Sequence, residues 1–599
     1  MKRQKNSALA KRRTTSTDLL ILFCSIFIFG IVLCIVLAVA SKGSSFRGML
    51  FHNGVYTDWF MDFFNSIRDS AASNVYSERN SIYPPLAVAF FRFLGRMLPY
   101  AEVALDPRDN YDMQKSQSCL MIYLFYTLIV VIATYRFVYK KAFDGKYESS
   151  YDKKTRRIAA IFSFLTIFSY PLMYCMERGN IVSLAVAFTA FFVFFRDSES
   201  KAIREISYIC LALAAGLKLY PAIFGLLLLF DKKYKEAIRL VVYGILAVVI
   251  PFILISTIPA PVQTSRELIL QQRQHLSEAN KYGELDRAEA AKKEEAAKKA
   301  AENADSADSA ADSSSSSKTS SSLDSLKKIA ASLFQFRNRK SSGINFSSVS
   351  IQNVVLVYGK MENLCEYIQR LRDFHPVLAP IADFMHDFFA IDSANVAFYA
   401  MVIYEAFAVF ALFFVKKIWQ KTFILSYLFL NIPTFSSSYV LWFLIIPLVL
   451  FLFDRDEKYR SKLDIFMTVL FALLFTPIPT FMWYSDGAVS FFSYVALKIP
   501  WNSRINHVIA TPVFQLIFTI LFVQAVIECV RIIKNRKNLK KAAADGTGDE
   551  TAENAEISVE TEIEPEDVQT EDVQTEDSVK PEEADALVSA GTECKGEVL

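Results

Sequence analysis

Twelve apolar runs, several about 20 residues long and almost free of charge, constrain this chain more than any other feature, because a run of that length crosses a hydrocarbon core of roughly 30 Å. They lie near 18–40, 117–139, 158–176, 180–195, 205–217, 220–230, 237–257, 393–415, 421–433, 438–453, 463–483 and 506–532. With 52 Phe and 27 Tyr in 599 residues, the apolar side chains exceed what one soluble core would bury. The expected fold is therefore an all-α polytopic membrane protein of about twelve transmembrane helices. The runs between 180 and 230 are too short for a perpendicular crossing, which predicts broken or partly re-entrant helices there.

Lys and Arg set the expected orientation, since short loops rich in them stay cytoplasmic. The N-terminus carries six basic residues within Met1–Arg13, and every second connection is basic: 140–157, 196–204, 232–239, 416–421, 455–462 and from Arg531 onward. This pattern places both termini in the cytoplasm of a multi-pass plasma-membrane protein. Loops 41–116, 258–392 and 484–505, with the turns around Arg178, Lys218 and Ser436, then face outward. A span at 84–98 would put the basic loop 140–157 outside. That segment is expected instead to lie along the outer surface as an interfacial helix, with Arg92 and Arg96 one turn apart.

The organisation that follows is a basic cytoplasmic segment (1–17), an N-terminal transmembrane module (18–257) containing outer loop 41–116, a long outer loop (258–392), C-terminal helices (393–532) and a basic, then acidic tail (533–599). Within the long loop, residues 278–325 pass from an Ala, Lys and Glu tract into Ser, Asp and Ala, a composition too polar to build a core. The net charge of +3 conceals basic clusters beside spans and an acidic tail, a distribution that does not point to nucleic acid. The eight cysteines form no C-x-x-C pair, and the five histidines show no metal-ligand spacing. No phosphate-cradling glycine loop is present, which disfavours an ATP-driven or nucleotide-sugar domain.

Four polar interruptions could carry chemistry. Asp58 and Asp62 share one face of any helix through Tyr56–Asn65, beside an aromatic cluster, and either carboxylate could take a proton from an acceptor hydroxyl. Such carboxylates also simply keep a juxtamembrane loop hydrated. Tyr83-Pro84-Pro85-Leu86 opens the surface helix with prolines tolerated in a first turn. Glu177-Arg178-Gly179-Asn180 places charge at a helix break, where Arg178 either holds a phosphate or pairs with Glu177 to close the turn. Gly216-Leu217-Lys218-Leu219-Tyr220-Pro221 sets one lysine in an apolar stretch, as a phosphate ligand or as a residue snorkelling to the interface.

These motifs, with Asn345-Phe346-Ser347-Ser348 and the Ser-rich turn Pro433–Tyr439, resemble glycosyltransferase family 87 over roughly residues 18–530, the low-complexity insertion excepted. The resemblance implies a glycosyltransferase C-type fold and a reaction like that of the polyprenol-phosphate-mannose-dependent mannosyltransferases of envelope glycolipid assembly. It further implies a polyprenyl-phosphate sugar donor, a lipid or polymer acceptor, an Asp general base (Asp58 or Asp62), donor phosphate held by Arg178 and Lys218, and sugar or acceptor held by Tyr83, Asn180, Tyr220, Asn345, Ser347 and Tyr439. Transfer would invert the anomeric carbon on the outer face, with no cofactor and no metal. The chain departs from the family in having no histidine in 433–439, so that role passes to Ser438 or Tyr439 or is absent. A secondary transporter or lipid-linked sugar flippase is the rival class, although no internal repeat is evident.

Overall fold

The structure is a computed structural model that describes residues 15–43, 45, 49–50, 59–71, 75–78, 81, 83–98, 112–142, 153–257, 348–358, 380, 393–433, 436–453, 460–479 and 505–544. Among these the architecture is helical, apart from a single bridge between Ser348 and Ser437. In chain order the helices are α1 (Ser16–Ala40), α2 (Met61–Ser70), α3 (Val75–Glu78), α4 (Pro85–Gly95), α5 (Asp112–Lys115), α6 (Gln117–Ala142), α7 (Lys153–Leu165), α8 (Tyr170–Arg178) and α9 (Val182–Phe195). They continue with α10 (Lys201–Leu217), α11 (Leu226–Phe230), α12 (Tyr234–Thr257), α13 (Ile351–Tyr358), α14 (Ser393–Phe414), α15 (Ile418–Asn431), α16 (Ile445–Leu452), α17 (Lys462–Phe475) and α18 (Ile505–Ala544). Residues Met1–Cys529 form one compact unit and Val530–Leu599 a second, which contains the end of α18.

Each expected apolar run overlaps a helix, but the helices fall into two kinds. Six are long and apolar enough to cross a membrane: Ser16–Ala40, Gln117–Lys141, Lys154–Arg178, Tyr234–Ile255, Ala397–Phe414 and Ile509–Asn538. They present apolar side chains outward, as Ile238, Val241, Val242, Ile245 and Ile253 do on α12, which is what a lipid-facing helix requires. Two of the shorter helices, α9 and α15, lie inside. In α9, 11 of 14 residues are buried, and in α15 every residue from Thr422 to Asn431 is buried. Enclosed by protein, they can end below the membrane surface, because neighbouring side chains satisfy the freed backbone groups there.

Local sequence explains the boundaries. Thr15 and Asp18 form a reciprocal capping box at the start of α1, and Ser461 with Asp464 does the same for α17. The composite Lys154–Arg178 breaks at Ser169-Tyr170-Pro171: a 3-10 turn (Thr166–Phe168) leads into extended Ser169, and Pro171 sits in the first turn of α8, where its missing N–H costs nothing. The predicted short segment near 220 is indeed irregular, a 3-10 turn (Tyr220–Gly225) running into α11.

The segment expected as an interfacial helix with Arg92 and Arg96 one turn apart is α4, and its Arg92 is buried, donating from Nε to the Ser70 carbonyl (3.0 Å) and from Nη1 to the Ile255 carbonyl (2.6 Å). Those carbonyls end α2 and α12, where orphan acceptors need a donor, and the guanidinium fork supplies two. Only Phe93, Arg96 and Met97 remain exposed on that helix end.

The turns after α9 and α11 are joined by charge. Buried Arg196 bonds Asp231 at 2.8 Å and Asp197 at 3.1 Å, and Lys233 reaches Asp197 at 2.6 Å. Burial pushes the Asp197 carboxyl up, but Arg196 and Lys233 outweigh it and hold it below its ordinary range. A depressed carboxylate pKa stabilises the fold above the unfolded value, and that contribution is lost as pH falls through the folded one. The parental protein should therefore lose more thermal stability than Asp197→Asn between about pH 6 and about pH 3. Equal losses in a melting series would contradict this role.

Candidate functional site

The site begins where α8 stops. Gly179 adopts a left-handed conformation (φ 71°), with Asn180 N–H bonded to the Cys175 carbonyl (3.1 Å) and Gly179 N–H to that of Met176 (2.9 Å), the paired bonds of a Schellman ending. A side chain there would also collide, since an added Cβ would lie 2.9 Å from the Phe60 carbonyl oxygen and from Phe63 Cβ. Phe60 is itself left-handed (φ 60°) and donates its N–H to the Glu177 carbonyl at 2.7 Å. Two unusual backbone conformations thus seat the start of α2 against the break in the α8–α9 segment.

That seating brings Asp62 to Arg178 and Asn180. Arg178 Nη2 donates to Asp62 Oδ1 at 2.9 Å, and Asn180 Nδ2 donates to Oδ2 at 2.8 Å. The same Nδ2 donates to the Tyr439 hydroxyl at 3.0 Å, while Asn180 Oδ1 caps Val182 N–H at 3.1 Å. Arg178 and Asp62 keep 25% and 20% of their side chains exposed, so the pair borders an accessible space and is not sealed in the core. Behind it, Phe63 packs on Phe91, Tyr123 and Tyr126, and the Tyr126 hydroxyl meets Ser183 Oγ at 2.9 Å.

Lys218 approaches from α10, as the residue that ends that helix. Its ammonium lies 4.1 Å above the Tyr83 ring, and among the described residues it has no carboxylate partner. The two sequence motifs meet directly, because a Cβ on Gly216 would lie 2.8 Å from Leu86 Cδ2 and 3.2 Å from the Ala247 carbonyl oxygen. Tyr220 stacks on Phe429 (4.9 Å between ring centres), and its buried hydroxyl has no partner among the described residues; neither does that of Ser438.

The turn carrying Tyr439 is held from behind by a network that sequence reasoning missed. Val349 N–H donates to the Ser436 carbonyl (2.8 Å), and Ser436 N–H donates to Ser348 Oγ (3.0 Å). Asn431 Oδ1 accepts from Ile351 N–H (2.8 Å) and from Gln515 Nε2 (3.3 Å), and the Tyr427 hydroxyl donates to Gln515 Oε1 (2.6 Å). The signal that could have exposed it is the presence of amides, Asn431 and Gln515, inside two apolar runs, since a buried amide requires partners.

Of the expected site residues, Asp62, Arg178, Asn180 and Tyr439 form one connected chain, with Lys218 and Tyr83 as a second pair. Tyr220 stands apart from both in bonding and lines the aromatic wall. Asp58, Asn345 and Ser347 lie outside the described residues. Asp62 is the side-chain carboxylate that meets Arg178, whereas Glu177 is tied through its backbone carbonyl to Phe60.

Residues 82–284 match the family model of Glycosyltransferase family 87, which bears out the resemblance read from the motifs and indicates a membrane glycosyltransferase. The matched region includes Tyr83, Arg178, Asn180, Lys218 and Tyr220; Asp62 lies ahead of it and Tyr439 beyond it. No curated protein and no solved structure matches the chain.

Gly179→Ala adds a Cβ at a left-handed position that is already in contact with the neighbouring backbone. It should lower unfolding free energy by about 2 kcal/mol or more, whereas Gly244→Ala, at an open position, should not. Similar melting temperatures for the two variants would show that the Phe60–Gly179 seating is not rigid.

Proposed function

We propose that this membrane glycosyltransferase moves a mannose-like hexose from a polyprenyl-phosphate sugar to an envelope glycolipid or polymer on the outer face, with inversion. The observation that carries the reading is the pairing pattern at the site: the Arg178 guanidinium is bonded to Asp62, while Lys218, beside it in the matched region, has no described carboxylate partner. That leaves a cation for a phosphate group next to a wall of tyrosines, and lipid helices around it for the tail.

In this mechanism Asp58 is the general base, and Asp62, whose two oxygens are already bonded, orients Arg178 and Asn180. The acceptor hydroxyl loses its proton to the Asp58 carboxylate as its oxygen bonds to the anomeric carbon. The bond from that carbon to the phosphate oxygen breaks on the opposite face, and the electron pair leaves with the polyprenyl phosphate. Lys218 moves from the Tyr83 ring toward the leaving phosphate and stabilises its growing charge, with the outer edge of Arg178 adding to the field. Tyr83, Asn180, Tyr220 and Tyr439, with Asn345 and Ser347, position sugar and acceptor hydroxyls. Charges at helix ends, instead of at mid-membrane, favour a transferase over a transporter.

The test is transfer of radiolabelled sugar from a panel of polyprenyl-phosphate sugars to envelope glycolipids by protein reconstituted in liposomes. Asp58→Asn should lower kcat on the order of a hundredfold to ten-thousandfold at unchanged KM for donor. Lys218→Gln should mainly raise that KM. Parental rates in Asp58→Asn would remove Asp58 as the base. An inactive parental protein, with donor and fold verified, would instead direct attention to flux of the same lipids across the bilayer.

A further inference from the structure

The opposite end of the bundle holds a second cationic cluster that the proposed chemistry does not use. Lys140 lies 14 residues beyond Tyr126 on α6, about 21 Å along the helix axis from the Asp62 side. There the ends of α6, α9, α11 and the start of α15 converge. Lys140 places its ammonium 4.9 Å over the Phe195 ring, and Lys421 places its own 5.2 Å over the Phe230 ring. The residues that follow those two phenylalanines are Arg196 and Asp231, which are bonded to each other. Lys421 lies within the electrostatic field of both.

Among the described residues the charges in this cluster do not cancel. Asp231 is bonded to Arg196, and Asp197 is shared between Arg196 and Lys233. Both lysine heads that rest on rings lack a carboxylate partner among the described residues, and so does one nitrogen of the guanidinium. Arg196 has only 5% of its side chain exposed, yet its buried Nη1 has no hydrogen-bond acceptor among the described residues. A buried donor of this kind normally finds a partner. An anion with several acceptor oxygens, placed between two ring-seated ammonium groups, would satisfy it and offset the surplus charge. Ring-seated ammonium heads keep their hydrogens available, since the ring face engages the charge without accepting all three N–H groups.

We propose that Lys140, Lys421 and Arg196 form a binding site for the phosphate of an anionic membrane phospholipid, at the bundle end opposite the Asp62 site. A phospholipid fits better than free phosphate because the cluster sits where apolar α6 and α11 end, so acyl chains can lie along the helices below the headgroup. The site is independent of the sugar-transfer reading and would stand if that reading failed.

The full chain is tested in nanodiscs of phosphatidylcholine alone and of phosphatidylcholine mixed with phosphatidylglycerol. Phospholipid retained after gentle detergent extraction is counted by native mass spectrometry. The parental protein should retain phosphatidylglycerol selectively. Lys140→Gln with Lys421→Gln should weaken retention about twenty-fivefold, as each basic residue at an anionic surface contributes roughly a fivefold factor. Lys201→Gln with Lys235→Gln, which removes the same charge from exposed positions at the same end, should retain lipid as the parent does. If the first double variant unfolds in phosphatidylcholine, the exposed single change Lys140→Gln decides. Parental retention in the Lys140 and Lys421 variant, an equal loss in the Lys201 and Lys235 control, or full displacement of the lipid by inorganic phosphate would each overturn the assignment.

Discussion

The carboxylate of Asp62 is the point on which the functional face of this protein depends. It accepts from Arg178 and Asn180, and Asn180 in turn reaches Tyr439, so one side chain joins α2, the break between α8 and α9 and a turn more than 250 residues away in sequence. Remove it, and three segments that are each irregular lose their common partner. The backbone is arranged around this contact: two left-handed residues, Phe60 and Gly179, place α2 where Asp62 can reach, and at Phe60, unlike at the glycine, that conformation costs energy that the surrounding bonds must offset. Strain of this kind gathers at functional sites, and here it lies within the region where the family motifs meet.

The membrane explains why such a junction can exist. A long helix that faces lipid, such as α6, bonds its backbone groups within itself. The enclosed helices are relieved of that demand. The breaks at the ends of α8, α9 and α10 provide Arg178, Asn180 and Lys218. Arg92 shows the same economy, filling two orphan carbonyls at the ends of α2 and α12 from a helix that its amphipathic pattern had assigned to the surface. At the other end of α9, Arg196 gathers two turns. The two ends of one short helix thus carry the two polar centres of the described protein.

Much of this was legible in the sequence. Apolar runs located the helices, because lipid imposes a length and composition that single residues cannot hide. Prolines and Gly179 marked the breaks, and the motifs at 83–86, 177–180 and 216–221 identified residues that the fold brings to one region. What the sequence could not give was partnership. Nothing local distinguishes Glu177 from Asp62 as the partner of Arg178, since the choice depends on how α2 docks. The burial of Arg92 also depends on the distant end of α12. Asn431 and Gln515 lie in apolar runs, and only tertiary contact shows Gln515 bonded to Asn431 and Asn431 to the Ile351 N–H.

A double-mutant cycle on the Asp62–Arg178 pair tests the central claim most directly. Unfolding free energies of the parental protein, Asp62→Asn, Arg178→Gln and the double variant would be measured in one lipid mixture. If the pair organises the junction, the double variant should be less destabilised than the sum of the single ones, with a coupling of about 1 kcal/mol or more. Additive losses would mean that Asp62 and Arg178 act independently, and the junction described here would then rest on some other contact.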